Sequence, residues 1–116
     1  GNLLYVSGQI SPTKGRLGAD LAVEAGAEAA RACGLALLAQ ARAALGSLDR
    51  VQRVVRLGGF VNSTPDFTDQ PEVINGCSNL MVDVFGDKGR HARAAVSCPA
   101  LPRGVAVEID AIFEVE

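Results

Sequence analysis

A chain of 116 residues with 48% hydrophobic residues suits a single domain over residues 1–116, with one core and no second one. Its net charge of −2, with Lys14 and Lys88 as the only lysines, excludes the basic face that nucleic-acid-binding proteins use to neutralise phosphates. Its longest apolar runs fall short of the ~20 residues that span a bilayer.

The three cysteines, Cys33, Cys77 and Cys98, are odd in number and widely spaced. They form neither a CxxC motif nor a Cys/His ligand spacing, so the sequence predicts no zinc site. Unpaired thiols among apolar neighbours are typical of a reducing compartment. Since no signal-like segment opens the sequence either, we expect a cytoplasmic protein.

The first half of the chain predicts a strand, a helix and a strand. Residues 3–7 are apolar and end in Ser-Gly, which predicts a short strand that runs into a turn and then a loop over residues 9–18. From about Asp20, Ala and Leu recur at helical spacing; Asp20 is the expected N-cap, and Gly46 is the expected left-handed residue after the helix. Residues 51–61 are rich in Val and predict the second strand.

The second half predicts a helix and two strands. After a loop over residues 62–70, Pro71 fits the first turn of a second helix, which Gly86 ends. A strand follows near residues 92–98, and the last strand spans residues 105–115. That last strand alternates clearly, with one face apolar and the other carrying most of its charge. The apolar set is Val105, Val107, Ile109, Ala111, Phe113 and Val115; the other is Ala106, Glu108, Asp110, Ile112 and Glu114.

This order of elements predicts an α/β (α+β) sheet with two helices packed on one face. Residues 3–6 are apolar on both faces of their strand, and Val54 and Val55 place apolar groups on both faces of theirs. The face that the helices leave uncovered therefore needs a partner, most simply another copy of the chain.

Several familiar nucleotide-binding and hydrolase motifs are absent from the sequence, which leaves few candidates for a functional site. The sequence has no GxGxxG turn, no GxxxxGK[ST] loop and no GxSxG elbow, and its single histidine argues against a Ser-His-Asp relay. Arg93 stands out because small apolar residues surround it in a predicted strand. Its guanidinium could bind the carboxylate of a ligand through bidentate hydrogen bonds. Alternatively, it could form an ion pair with Glu108 or Asp110 across adjacent strands.

The other candidates each have an ordinary structural interpretation as well. Glu108 fits a solvated strand face, and His91 fits a turn or capping residue. Ser7-Gly8 could offer a hydroxyl and an N–H to a ligand or simply make a turn. Asn75-Gly76 is unusual in a helix, since both are poor helix formers, and the pair could allow close packing or reach a pocket.

Three stretches of the chain together resemble the RidA/YjgF family, also called L-PSP endoribonuclease-like. They are Gly1-Asn2-Leu3-Leu4-Tyr5-Val6-Ser7-Gly8-Gln9-Ile10, Ala92-Arg93-Ala94, and Leu101-Pro102 leading into Val107-Glu108-Ile109. The GFVNS and GRHAR segments resemble one branch of that family. The resemblance implies a chorismate-mutase-like fold: a mixed sheet with two helices on one face, assembled as a trimeric barrel with ligand clefts between subunits.

The resemblance also implies a hydrolase that converts reactive enamines and imines, such as 2-aminoacrylate, to 2-keto acids and ammonia. Arg93 would hold the substrate carboxylate, and Glu108 would activate water and move a proton. Ser7, Gly8 and Asn75 would line the cleft. It implies no metal and no organic cofactor, and the partners would be a small carboxylate-bearing substrate and two further copies of the chain, without nucleic acid or membrane. The alternative is a non-catalytic trimer of the same fold that binds a small acid or a protein.

Overall fold

The computed structural model describes residues 2–116, so Gly1, the first residue of the predicted domain and of the first resembling stretch, lies outside the described residues. Four strands and two helices follow the predicted order. They are β1 (Leu3–Ile10), α1 (Val23–Leu45), β2 (Val51–Asn62), α2 (Gln70–Phe85), β3 (Ala92–Cys98) and β4 (Val107–Val115). No helix in residues 2–116 is long and apolar enough to cross a membrane.

The strands form one mixed sheet in the order β1-β4-β2-β3. Strand β4 is antiparallel to both β1 and β2, whereas β3 runs parallel to β2 at one edge of the sheet. A parallel neighbour needs a crossover, and α2 provides it between β2 and β3. Because β2 separates β3 from β4, side chains of β3 and β4 are never direct cross-strand neighbours.

Both helices pack on one face of the sheet, which confirms the predicted α+β architecture. Helix α1 covers β4 and β1, and α2 covers β2 and β3. The core between them consists mainly of Val, Leu, Ile and Ala, as the low aromatic content predicts, with Phe113 the largest fully buried side chain. The alternation predicted for β4 is confirmed, because Val107, Ile109, Ala111 and Phe113 are all buried against the helices.

The first strand is longer than predicted, and the expected turn after Ser7 is wrong. Val6 pairs with Ala111 and Gln9 pairs with Ile109, so Ser7 and Gly8 together stand opposite the single residue Asp110. This is a β-bulge, in which one extra residue bends the strand without ending it. The Ser-Gly pair therefore marks an irregularity inside β1, which continues to Ile10.

The start of α1 also differs from the prediction. The helix begins at Val23, and Ala22 occupies the N-cap without a side-chain hydrogen bond. The Asp20 carboxylate instead accepts a hydrogen bond from the backbone N–H of Arg16 at 3.0 Å, within a turn that precedes the helix. The predicted end is confirmed: Gly46 is left-handed, with φ 84°, and its N–H donates to the carbonyl of Arg42.

The remaining boundaries differ by one or two residues. Strand β2 extends one residue further, to Asn62, and β4 begins at Val107 where Val105 was predicted. Val105 is still buried, but it makes an isolated antiparallel bridge to Lys14 outside the main ladder. The second helix contains Pro71 in its first turn and is capped by Gly86, as predicted.

The sheet face opposite the helices carries exposed apolar side chains. Tyr5 is 70% exposed, and it stands beside Ile112 on that face. Leu3, Ile10 and Val96 share the face and are 51%, 42% and 45% exposed. The prediction that the helices leave an apolar face uncovered is confirmed; below it is called the open face.

Candidate functional site

Arg93 lies on edge strand β3, and its side chain points towards the helix side of the sheet. It stands in register with Leu57, which is fully buried under the helices. Its Nη1 donates to Asn75 Oδ1 at 2.9 Å and to Ser78 Oγ at 3.0 Å, both on α2. Its Nη2 donates to the Pro71 carbonyl oxygen at 3.4 Å. Three acceptors from one helix thus fix the guanidinium.

Two of the five N–H donors of Arg93 remain available to a ligand. The three hydrogen bonds to α2 use both protons of Nη1 and one of Nη2. In residues 2–116 the only buried nitrogen or oxygen side-chain atoms without partners are Arg16 Nε and Asn62 Oδ1, so Nε of Arg93 is not fully buried. The free Nε and Nη2 donors are the kind of pair that binds both oxygens of a carboxylate.

The Arg93 guanidinium borders a cavity of about 240 Å³, called the Arg93 pocket below. Its walls are Asn75, Ser78, Asn79, Val82, Arg90, His91 and Arg93. None of these residues is acidic, and the salt bridge that a pocket residue makes within residues 2–116 is the exposed pair of Arg90 with Asp87 at 3.3 Å. Such exposed pairs contribute little, so the pocket keeps a positive potential suited to a small anion.

The interpretation of Arg93 as an internal ion-pair partner is wrong. Neither Glu108 nor Asp110 contacts it, and among residues 2–116 the salt bridges are Arg53–Glu114 and Arg90–Asp87. The physical reason is the strand order, because β2 lies between β3 and β4. In addition, Arg93 points towards the helices, whereas Glu108 points to the open face.

His91 also lines the Arg93 pocket, and two hydrogen bonds hold its ring in place. Its Nδ1 lies 2.6 Å from the Gly89 carbonyl oxygen, and its Nε2 lies 2.8 Å from Ser78 Oγ. Burial lowers the pKa of His91 below its usual 6.5, and the nearby charge of Arg93 acts in the same direction. The hydrogen bond to Gly89 opposes these effects by favouring the protonated ring. The imidazole is therefore neutral at pH 7.

Glu108, Ser7 and Gly8 come together on the other side of the sheet. A Cβ added to Gly8 would overlap the Glu108 carboxylate, so the missing side chain at the bulge makes room for that acid. Beside them, a cavity of about 440 Å³ is lined by Tyr5, Val6, Ser7, Gly8, Arg56, Asp110, Ala111 and Ile112. Within one chain the predicted site residues thus form two groups, Arg93 with Asn75 and Glu108 with Ser7 and Gly8, separated by the sheet.

The sequence analysis missed Ser78 and Asn79. Ser78 follows Asn75 by three residues, and positions three apart share a face of a helix, so this polar pair at helical spacing was a usable signal. The Asn75-Gly76 pair has both of the roles considered for it, reaching a pocket and allowing close packing. Asn75 reaches the pocket, and Gly76 lets α2 approach α1 so closely that a Cβ there would overlap the Ala27 carbonyl oxygen.

The two buried cysteines do not compete as nucleophiles. Burial raises the pKa of both Cys33 and Cys77 to about 12, so both remain protonated thiols at neutral pH. Cys33 donates weakly to the Val107 carbonyl oxygen inside the core. In the part of the chain that the structure describes, no group of three His, Cys, Asp or Glu side chains is placed to hold a metal ion.

Comparison with known proteins adds to this geometry. The family model described as "YjgF/chorismate mutase-like, putative endoribonuclease" matches residues 1–113. Protein TCP17 of Trypanosoma cruzi is 53% identical over 121 residues, which cover 98% of this chain and 76% of TCP17.

Solved structures agree with the family match. The protein Atu1372 of Agrobacterium tumefaciens, described as of unknown function, superposes with a TM-score of 0.98 at 49% identity and covers 100% of this chain and 77% of its own. RidA from the Antarctic bacterium Psychrobacter sp. PAMC 21119 superposes with a TM-score of 0.63 at 27% identity, over 99% of this chain and 82% of its own. These matches confirm the predicted chorismate-mutase-like fold of the single chain.

Proposed function

Because the chain belongs to the YjgF/chorismate mutase-like family, we propose that it hydrolyses small enamines and imines that carry a carboxylate, releasing a 2-keto acid and ammonia. The observation that carries this proposal is the Arg93 guanidinium, which α2 holds from one side and which keeps two donors free beside a pocket without acidic residues. Such a group binds an organic acid, and a 2-iminopropanoate-type substrate presents one.

In the proposed reaction, water adds to the carbon of the C=N bond and the C–N bond then breaks. Arg93 holds the carboxylate in a fixed orientation, which places the reacting carbon at a constant distance from the catalytic acid and base. Glu108 removes a proton from the attacking water and delivers a proton to the departing nitrogen. Asn75 supports the guanidinium, and Ser7 and Gly8 form the wall next to Glu108.

This reaction needs Arg93 and Glu108 at one substrate, and a single chain holds them on opposite sides of its sheet. We infer that the site is completed between two subunits, with Arg93 from one and Glu108, Ser7 and Gly8 from its neighbour. The open face supports this arrangement, since its exposed Tyr5, Ile10 and Val96 favour burial against another copy. The subunit count that we propose is three.

The test is a coupled assay in which a 2-amino acid oxidase or a dehydratase generates the imine or enamine in place. We expect the purified protein to accelerate formation of ammonia and keto acid above the spontaneous rate. Small keto acids should inhibit competitively, because they carry the same carboxylate. Thermal stabilisation by these acids without any turnover across a panel of imines would favour the non-catalytic binding protein and contradict the enzyme.

Replacing Glu108 with Gln should lower kcat by about 100-fold or more, with little change in KM. The amide keeps the shape of the side chain but cannot act as a base, and general acid–base groups typically contribute 10²–10⁴-fold. Substrate binding would persist because Arg93 is unchanged. Steady-state kinetics of the two proteins measure both constants.

Glu114→Gln is the matched control for that variant. Glu114 lies on the same strand and face as Glu108, and its exposed pair with Arg53 at 3.3 Å contributes little to stability. It should retain wild-type kcat. A Glu108→Gln variant as fast as wild type would exclude Glu108 from the chemistry.

Replacing Tyr5 with Asp should dissociate the assembly. Tyr5 is 70% exposed in the isolated chain, and a charge buried at that point between subunits would lose its hydration without a partner. Light scattering after size exclusion should show a shift from trimer to monomer, accompanied by loss of turnover. Leu35→Asp on α1, where Leu35 is 51% exposed away from the open face, should change neither. An active, monomeric Tyr5→Asp protein would rule out a shared site.

A further inference from the structure

We propose that Ser78 is a second reactive group of this protein, a nucleophile activated by His91 that takes an acyl group from small esters carrying a carboxylate. This chemistry is separate from the hydrolysis of C=N bonds proposed above. It shares Arg93 with that function, but it involves neither Glu108 nor a neighbouring subunit. The observations that carry it are the hydrogen bonds that link Ser78, His91, Arg93 and the Gly89 carbonyl.

The directions of these hydrogen bonds follow from the donors available. A backbone carbonyl oxygen can only accept, so the Nδ1 that lies 2.6 Å from the Gly89 oxygen must carry the proton. In the neutral ring Nε2 is then an acceptor, and the Ser78 hydroxyl at 2.8 Å donates to it. An imidazole oriented by a third group and hydrogen-bonded to a hydroxyl is the arrangement that activates serine nucleophiles.

Arg93 supplies the charge that such a step needs. Its Nη1 donates to Ser78 Oγ at 3.0 Å, so the cation stabilises negative charge as it develops on that oxygen. In the proposed step the same N–H also donates to the ester carbonyl oxygen as that oxygen becomes negative. Arg93 therefore assists both the nucleophile and the tetrahedral intermediate.

Accessibility and protonation are consistent with this role. Ser78, His91 and Arg93 all line the Arg93 pocket, and Ser78 is only partly buried, so an acyl carbon can reach Oγ. Burial and the charge of Arg93 lower the pKa of His91 below 6.5, so the ring is in the basic form at pH 7.

The balanced step is an ordinary acyl transfer. Ser78 Oγ forms a bond to the ester carbon while its proton moves to His91 Nε2, and the tetrahedral intermediate expels the alcohol, which takes that proton. Water then attacks the Ser78 ester and His91 again accepts a proton. The bond between the acyl carbon and Oγ breaks, His91 returns that proton to Oγ, and the carboxylic acid is released. The free Nε and Nη2 donors of Arg93 select esters whose acyl part ends in a carboxylate.

The probe is mono-4-nitrophenyl adipate, with 4-nitrophenyl hexanoate as a neutral ester of equal length. We expect a burst of nitrophenolate that approaches one per chain, followed by slower turnover. Intact-protein mass should show one adipyl group, and peptide mapping should place it on Ser78. The burst rate should be about 10-fold or more higher for the adipate than for the hexanoate, in line with one charge-assisted contact.

Three variants separate the roles. Ser78→Ala should lose both burst and label, and His91→Gln should slow the burst by about 100-fold or more, since it removes the base. In wild type the burst rate should fall as the pH drops through the pKa of His91, which burial holds below 6.5, because protonated His91 cannot accept the serine proton. His91→Gln should lack this dependence. Ser97→Ala is the control, since Ser97 Oγ bonds Ser63 Oγ at 2.7 Å and has no imidazole partner.

Labelling of the wild-type protein does not depend on any variant folding. Absence of the burst, an adipyl group on a residue other than Ser78, or an unchanged burst in folded Ser78→Ala would each overturn the proposal. These results leave the enamine hydrolysis untouched, because the ester assay contains no imine.

Discussion

Replacing Arg93 with Ala is expected to lower kcat/KM for a carboxylate-bearing imine by about 10- to 100-fold at least. A hydrogen bond between charged groups contributes roughly 1.5–3 kcal/mol, and about 1.4 kcal/mol corresponds to a factor of ten. The loss should exceed this range where substrate orientation also limits kcat, since Arg93 alone fixes the carboxylate. Steady-state kinetics measure the loss in kcat, and the inhibition constants of keto acids measure the loss in carboxylate binding.

Two further variants test whether the effect of Arg93→Ala comes from loss of the guanidinium itself. Arg93→Lys keeps the charge but cannot bond Asn75, Ser78 and a carboxylate together, so it should recover binding only in part. Arg31→Ala removes one exposed arginine from α1 and should behave as wild type. Full activity in Arg93→Ala would exclude the proposed mechanism, whatever the assembly state.

The regular parts of the fold could be predicted because burial alone shapes their sequence. Strand β4 alternates since one face lies under the helices, and α1 carries Ala and Leu at helical spacing for the same reason. Its end at Gly46 was also predictable, because a left-handed residue there favours glycine. In such segments each local preference agrees with the tertiary structure.

The irregular parts could not be predicted because neighbours that are remote in sequence decide them. The bulge at Ser7 and Gly8 depends on pairing with Asp110, about a hundred residues along the chain. Asp20 has the right side chain for an N-cap, yet its carboxylate bonds Arg16 and the helix starts at Val23. A residue pattern gives the type of an element more reliably than its first residue.

The candidate site also has parts that the sequence could predict and parts that depend on the fold. Arg93 was recognisable because a charge among small apolar residues is unusual in a strand, and Glu108 followed from the family resemblance. That the two lie on opposite sides of the sheet required the strand register, in which Arg93 stands beside the buried Leu57 and Glu108 stands beside Phe60 on the other face. Ser78 and His91 are 13 residues apart, and only the fold of residues 86–91 brings their side chains together.

Replacing Gly76 with Ala is expected to destabilise the protein by about 2 kcal/mol or more, although alanine is the better helix former by about 1 kcal/mol. The added Cβ would overlap the carbonyl oxygen of Ala27 and lie 2.8 Å from its carbonyl carbon, so backbone atoms of α1 stand in its way. A backbone cannot rotate aside as a side chain can, and α1 and α2 would have to separate. Thermal and urea unfolding at matched protein concentration measure the loss.

Gly34→Ala tests the same interface between α1 and α2 at a position where the atoms nearest to the added Cβ belong to side chains and not to the backbone of the other helix. Its Cβ would meet the Leu80 Cδ2 at 2.9 Å and the Cys77 Sγ at 3.0 Å, both side-chain atoms that can shift, so helix propensity should offset most of the cost. Equal stability losses in the two variants would contradict the argument from backbone contact. Since Asn75 precedes Gly76 and accepts from Arg93, the Gly76→Ala variant should also weaken keto-acid binding, and Gly34→Ala should not.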